Sequence, residues 1–171
     1  YEKWLLDLVA LGTVCDIVTL ADENRANVYW GLEVLKKQQR PGLKALMAVA
    51  GIEPEQVNAR HLGFGLGPRM NAAGRLETAQ HALDMLVACD GMAALAASEK
   101  LEELNIKRRS IQDEIFQEAC QQADEMSGDR VLVVSSDGWN HGVIGIVASK
   151  LVEKYKKPVF IIGERGEEAT G

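Results

Sequence analysis

The chain has 171 residues, 47% hydrophobic and 26% charged, with a net charge of −6. That composition fits a globular protein of one or two domains and excludes an overall electrostatic signature of nucleic-acid binding, so any polyanion site has to be a local basic pocket. No apolar run is long enough to span a bilayer, no signal peptide is visible, and the scattered cysteines (Cys15, Cys89, Cys120) and histidines (His61, His81, His141) lack metal-ligand spacing, so a cytoplasmic protein with reduced thiols and no zinc site of its own is expected.

The sequence opens without Met inside an apolar-periodic segment and closes just after an apparent strand, so it reads as a piece of a longer protein. Trp4, Leu5, Leu8 and Val9 recur at helical spacing and predict an amphipathic helix over 2–12 that Gly12 breaks. Asp16 follows, with apolar residues on both sides. A carboxylate in that setting is costly unless it is paired, hydrogen-bonded or metal-bound. It reads either as the cap of a local turn or as one metal ligand whose partners lie elsewhere, since one carboxylate cannot hold a divalent cation. Asp22 is the candidate N-cap of a helix that runs to about residue 37 with Val28, Leu32 and Leu35 inward. Pro41-Gly42 separates it from a helix over 43–50, which Gly51 closes, and a third helix spans about 59–66.

Residues 67–75, Gly67-Pro68-Arg69-Met70-Asn71-Ala72-Ala73-Gly74-Arg75, are the least ordinary stretch. Gly67-Pro68 should stop the arriving helix. Small residues allow close approach, and the two arginines offer donor forks that match phosphate oxygens. Two readings stay open: an anion-binding loop, most simply for a phosphate, or an interdomain turn whose arginines cap helices or pair with carboxylates.

A helix over 78–89 follows. From Asp90, a plausible N-cap, the positions Ala94, Ala97, Leu101, Leu104, Arg108, Ile111 and Ile115 keep three-or-four spacing. They predict one long helix of about 50 Å, of the kind that bridges two bodies. Arg108 either pairs along that helix with Glu102, Glu103 or Asp113, or reaches into a site between the bodies. Residues 130–135 read as a buried parallel strand, 138–142 as a turn, 143–155 as an amphipathic helix and 158–162 as a second strand. This is a β-α-β unit, in which ligands bind where the first strand gives way to the helix. The backbone donors of residues 139–145 suit an anion there, and Trp139 is either a stacking platform for a base or a packing anchor. The glycines make no dinucleotide fingerprint, and no Ser/His/Asp, Cys/His or Walker pattern occurs.

Taken in order, residues 8–16 ending in Cys15-Asp16, Glu23-Asn24-Arg25, residues 66–76, Asn105 with Arg108-Arg109, and residues 139–149 beginning Trp139-Asn140-His141-Gly142 resemble the RecJ family of single-strand-specific exonucleases in the DHH phosphoesterase superfamily. The likeness runs through nearly the whole chain. It implies an α/β fold: the mainly helical C-terminal part of a DHH catalytic domain over 1–89, a long connecting helix over 90–127, and the opening β-α-β of a DHH-associated domain over 128–171. It implies Mn²⁺- or Mg²⁺-dependent hydrolysis of single-stranded DNA from the 5′ end, in DNA repair and recombination. Single-strand-binding protein and a helicase are the implied partners, and no membrane is involved.

The resemblance implies that Asp16 is the last metal-binding aspartate of the catalytic domain. It makes Arg69 and Asn71 catalytic residues facing the metal centre and the scissile phosphate, with Arg75 on the nucleic acid beside them. It puts Trp139, Asn140, His141 and Gly142 at the opening of the associated domain's first helix, on the nucleic acid. The family's other aspartate motifs and its DHH motif belong upstream and are absent here, and its basic Gly-Ser-x-Arg-Ser motif would begin near Gly171. Asn140 stands where many relatives have His and carries no acid–base role. The chain by itself is therefore expected to be inactive. Two alternatives remain: a DHH-family phosphodiesterase for oligonucleotides or cyclic dinucleotides, and a non-catalytic DNA-binding or replication-scaffold relative.

Overall fold

The computed structural model describes residues 2–126, 128–166 and 168–171. The architecture is α/β and mainly helical, with one small sheet, and the chain divides into two units, Tyr1–Asn105 and Ile106–Gly171.

In the first unit a 3-10 turn (Glu2–Leu5) leads into α1 (Leu6–Cys15), followed by α2 (Asp22–Lys36), α3 (Pro41–Val49) and α4 (Ala59–His61). A π-helical turn (Leu62–Leu66) joins α4 to α5 (Gly67–Leu76); then come α6 (Gln80–Val87) and the first part of α7 (Gly91–Glu125). Leu43, Leu46, Met47, Leu62, Leu66, Met85, Leu101 and Leu104 are fully buried and form the centre of the core. Burying each such side chain is worth about 1.5–3 kcal/mol. Helices α1 and α2 approach backbone to backbone at Gly31, where a Cβ would stand 2.2 Å from the Leu6 carbonyl oxygen. Arg40, at the start of α3, donates to the buried carboxylate of Asp7 through Nε at 3.1 Å and Nη2 at 3.4 Å. That pair joins α3 to α1 across 33 residues, and no local pattern announces it.

Among α1 to α3, three boundaries differ from the sequence expectation. Helix α1 runs through Gly12, because one interior glycine costs only about 1 kcal/mol. It ends instead in a Schellman motif. Ile17 takes the left-handed position (φ 57°), its N–H reaching the Val14 carbonyl at 3.1 Å and that of Val18 the Thr13 carbonyl at 3.1 Å. Asp22 is the first residue of α2 and does not cap it; the cap position is Ala21, with no side-chain bond. Pro41 and Gly42 open α3 and are not a separator before it, in keeping with the tolerance of proline in a first turn.

The second unit holds the rest of α7, β1 (Leu132–Asp137), α8 (His141–Tyr155), β2 (Val159–Arg165) and β3 (Glu168–Thr170). Strands β1 and β2 pair in parallel, Leu132 opposite Val159 through Asp137 opposite Glu164, and β3 lies antiparallel on the other edge of β2. Leu132, Val134, Val143, Val147 and Leu151 are fully buried. The Gln122 side chain bonds β1 through both of its amide atoms, donating to the Ser135 carbonyl at 2.8 Å and accepting from the Ser135 N–H at 3.1 Å. The expected strand buried on both faces is not what forms: Val133 is 48% and Phe160 62% exposed, so one face of the sheet is open. Asp90 does cap α7, its Oδ1 accepting from the Ala93 N–H at 2.9 Å.

Candidate functional site

Residues 67–75 do not form a loop. They lie within α5, and helical structure is continuous from Ala59 to Leu76. Pro68 is accommodated because the preceding turn is π-helical, with the Gly67 N–H bonded back to the Leu62 carbonyl. A proline in an unbroken α-helix would meet the carbonyl four residues earlier; here it falls in the first turn of α5. π turns of this kind recur at functional sites.

The structure brings the end of α1, at Cys15, against the start of α5. A Cβ on Gly67 would stand 2.7 Å from Cys15 Sγ, and that thiol lies 3.8 Å from the Leu62 carbonyl. Burial, and then the charge of Asp16, push the Cys15 thiol above its usual range. Asp16 itself is exposed, just past the last turn of α1 and one residue from this contact. Its backbone N–H closes on the Gly12 carbonyl at 2.9 Å, so the turn-cap reading describes its backbone, and its carboxylate faces solvent.

The side chains of α5 divide by face. Arg69 turns inward, its side chain 12% exposed. Its Nη1 donates to the Gly65 carbonyl at 2.7 Å, its Nη2 to Glu102 Oε1 at 3.3 Å, and its Nε sits against Glu102 Oε2. Asn71 and Arg75, four residues apart, are exposed. The pairing reading thus describes Arg69, while Asn71 and Arg75 present the polar surface. Glu102 was not foreseen as the partner of Arg69, since 33 residues separate the two and no spacing rule connects them. Arg108, in the second unit, is buried and donates Nη1 to Gln112 Oε1 at 2.9 Å, an amide one turn along the helix.

At the opening of α8 the donors are largely used within the fold. Asn140 is the N-cap: its Oδ1 accepts from the Gly142 N–H at 2.9 Å, and its carbonyl accepts from Val143 at 2.9 Å and Ile144 at 3.1 Å. Helix α8 therefore starts at His141, two residues before the expected start. Trp139 is 5% exposed and its indole N–H donates to Glu118 Oε2 at 2.7 Å. That is the packing anchor of the two readings, with no ring face open to a base. His141 is exposed, its ring lying over Gly163 of β2, where a Cβ would stand 2.8 Å from Cδ2.

Among the described residues no group of three or more His, Cys, Asp or Glu could hold a metal ion, and no helix is long and apolar enough to cross a membrane. Asp16 supplies one exposed carboxylate, which does not make a metal centre.

Comparison with known proteins finds relatives of this chain. No family model matches the chain. It is 39% identical over 160 residues to the single-stranded-DNA-specific exonuclease RecJ of Bacillus subtilis, covering 93% of this chain and 20% of that protein. It is 40% identical over 171 residues to the RecJ of Salmonella typhimurium, covering 95% of this chain and 29% of that protein. The crystal structure of RecJ in complex with Mg²⁺ from Thermus thermophilus superposes with a TM-score of 0.86 at 32% identity, covering 94% of this chain and 25% of that one. This chain is homologous to a segment of RecJ. It spans between a fifth and three tenths of the length of these two RecJ proteins. RecJ structures have been solved with Mg²⁺ and with Mn²⁺.

Proposed function

We propose that the chain is part of a metal-dependent exonuclease that degrades single-stranded DNA from the 5′ end. Residues 1–89 complete its catalytic domain, 90–127 connect, and 128–171 open the associated domain. The observation that carries this is 39–40% identity across 93–95% of the chain to proteins named as RecJ single-stranded-DNA-specific exonucleases. DNA repair and recombination in the cytoplasm, with single-strand-binding protein and a helicase as partners, are the corresponding setting.

In this reading Asp16 provides one carboxylate to a Mn²⁺ or Mg²⁺ centre whose other ligands come from outside this chain. Such ions polarise the phosphate and activate water when bound. The chain's own residues handle the phosphate. Arg69, fixed by the Gly65 carbonyl and Glu102, is a guanidinium held in one geometry before DNA arrives. Preorganised donors of this kind stabilise charge that develops on a phosphoryl oxygen. Asn71 and Arg75 contact the strand from the exposed face of α5. In the second unit the contact falls to exposed His141 and the turn formed by Asn140 and Gly142, which buried Trp139 holds in place.

The test is an assay of the full-length protein on long single strands labelled at either end, with and without chelator. Mn²⁺-dependent, stepwise loss of the 5′ label is expected. Preference for dinucleotides over long strands would replace this reading with the phosphodiesterase alternative, and metal-insensitive binding without cleavage with the scaffold alternative. Residues 1–171 alone are expected to give no Mn²⁺-dependent cleavage.

A further inference from the structure

Among residues 59–76 the exposed positions are Arg60, Phe64, Asn71, Gly74 and Arg75. Arg60 to Phe64 and Asn71 to Arg75 are each four apart, on either side of the π turn over Leu62–Leu66. Phe64 is 77% exposed. Its sequence neighbours, Gly63 and Gly65, have no side chains to shield it. Positions built there would meet Val14 Cγ1 at 3.4 Å and Ile52 Cδ1 at 2.9 Å, so both glycines face the body of the unit while the ring between them points out. The Arg60 guanidinium lies 5.9 Å from the ring centroid. A single exposed Phe needs no explanation. A Phe projected by a π turn between two glycines, with a guanidinium beside it and an exposed amide and a second guanidinium further along the same helical run, has the composition of a single-strand platform: cations for the backbone and a ring for a base.

We infer that Phe64 is a base-stacking residue for single-stranded nucleic acid, with Arg60 contacting the adjoining phosphate. Resting on the reading above, it gives the polar surface of α5 an extension through the π turn. The ring takes a nucleobase face-on without reading its identity, because every base offers a π-face. Arg60 adds charge, which salt screens.

The test measures equilibrium binding of the full-length protein to a fluorescent oligothymidylate without divalent metal. Stacking on an aromatic is worth about 1–3 kcal/mol per base, so Phe64→Ala should weaken binding by roughly 5- to 150-fold. Phe64→Trp should keep or raise the affinity. Phe64→Leu keeps the apolar bulk without the ring and should lose it as Ala does. A strand with one abasic site at the stacking position should bind wild type and Phe64→Ala equally. Arg60→Ala should lower the salt dependence by about one phosphate contact. Equal affinity of Phe64→Leu and wild type, or no abasic position that removes the difference, overturns the stacking role and leaves the exonuclease reading standing. Failure of the wild-type protein to bind single strands at all overturns both.

Discussion

The start of α5 and the start of α8 look alike in sequence, each a glycine-rich stretch with Asn and a basic or aromatic neighbour, and each expected to bind an anion. In the structure both are helix beginnings, and they use their polar groups differently. At α8 the cap consumes the donors: Asn140 serves Gly142, its carbonyl serves Val143 and Ile144, and Trp139 gives its N–H to Glu118. At α5 no side chain caps the helix, a π turn carries the chain in, and the polar side chains separate into a fixed Arg69 and an exposed Asn71 and Arg75. Glycine and polar composition therefore mark a helix start without saying whether its donors serve the fold or a ligand. What separates the two cases is that the α8 donors are bonded within the cap, while Asn71 and Arg75 stand on the exposed surface.

The largest effect that would test this division is at Trp139. Truncating a buried tryptophan costs about 3–5 kcal/mol, so Trp139→Ala should lower the denaturation midpoint of the second unit steeply. Trp139→Phe, which loses the bond to Glu118, should cost about 1–2 kcal/mol, and single-strand affinity per folded molecule should stay unchanged. If Trp139→Phe keeps full stability but loses DNA affinity, the indole itself contacts the strand and the packing role given to it fails.

Next is Arg69→Ala in the full-length protein. Removing one preorganised donor to a developing negative charge costs roughly 10²–10³ in kcat. The substitution should lower kcat by that order and change DNA affinity much less. Loss of affinity with turnover intact would make Arg69 a positioning contact only.

The sequence carried the helical periodicity, the long α7 with its Asp90 cap, the β-α-β order and the left-handed Gly51 after α3, because each rests on a local rule with a local signal. Ile17 shows why the end of α1 was not legible. A β-branched residue in the left-handed position costs about 1–2 kcal/mol and is rarely chosen there, so Gly12 attracted the boundary instead. The proline rule misplaced residues 67–75 for a related reason, since a π turn absorbs the proline without ending the helix. The Arg69–Glu102 and Asp7–Arg40 pairs each join positions 33 residues apart and exist only through tertiary packing. That Arg69 is held by Glu102 while Asn71 and Arg75 are exposed could not be read in advance.

A third, smaller effect comes from two glycines that meet the two helix starts. A Cβ on Gly163 would stand 2.7 Å from the Trp139 carbonyl, and one on Gly67 would stand 2.7 Å from Cys15 Sγ and 3.0 Å from the Leu62 carbonyl. Either Gly→Ala change forces atoms apart at a cost of about 1–3 kcal/mol. Their consequences for catalysis should diverge. Gly163→Ala should shift Tm alone. Gly67→Ala should shift Tm and also lower kcat, because it moves Asp16 relative to α5, and small misplacements near a reacting centre cost up to about 10²-fold. Equal, purely thermal effects would make the Gly67 contact a packing feature only, like that of Gly163.

The smallest effect concerns the far ends of the same two helices, each tied to α7 within its own unit. At α8, Tyr155 donates to Asp124 at 2.7 Å, and burial followed by that bond raises its phenol to about 12, so this tie does not change through neutral pH. At α5, Glu77 bonds His81 at 2.9 Å and Lys100 at 3.3 Å, and these two, His81 first, hold its carboxyl below the usual range. A carboxylate depressed in the folded state contributes stability that is present above its unfolded value and is lost as pH falls through the folded one. The Tm of wild type should therefore exceed that of Glu77→Gln at neutral pH, and the gap should close on acidification from about pH 4.3 downward. The gap should be small and shrink in high salt, because Glu77 is solvent-exposed and its charges are screened. A gap that persists unchanged at low pH would mean that Glu77 holds the end of α5 by packing, as Tyr155 would then hold the end of α8, and the electrostatic difference between the two helix ends would disappear.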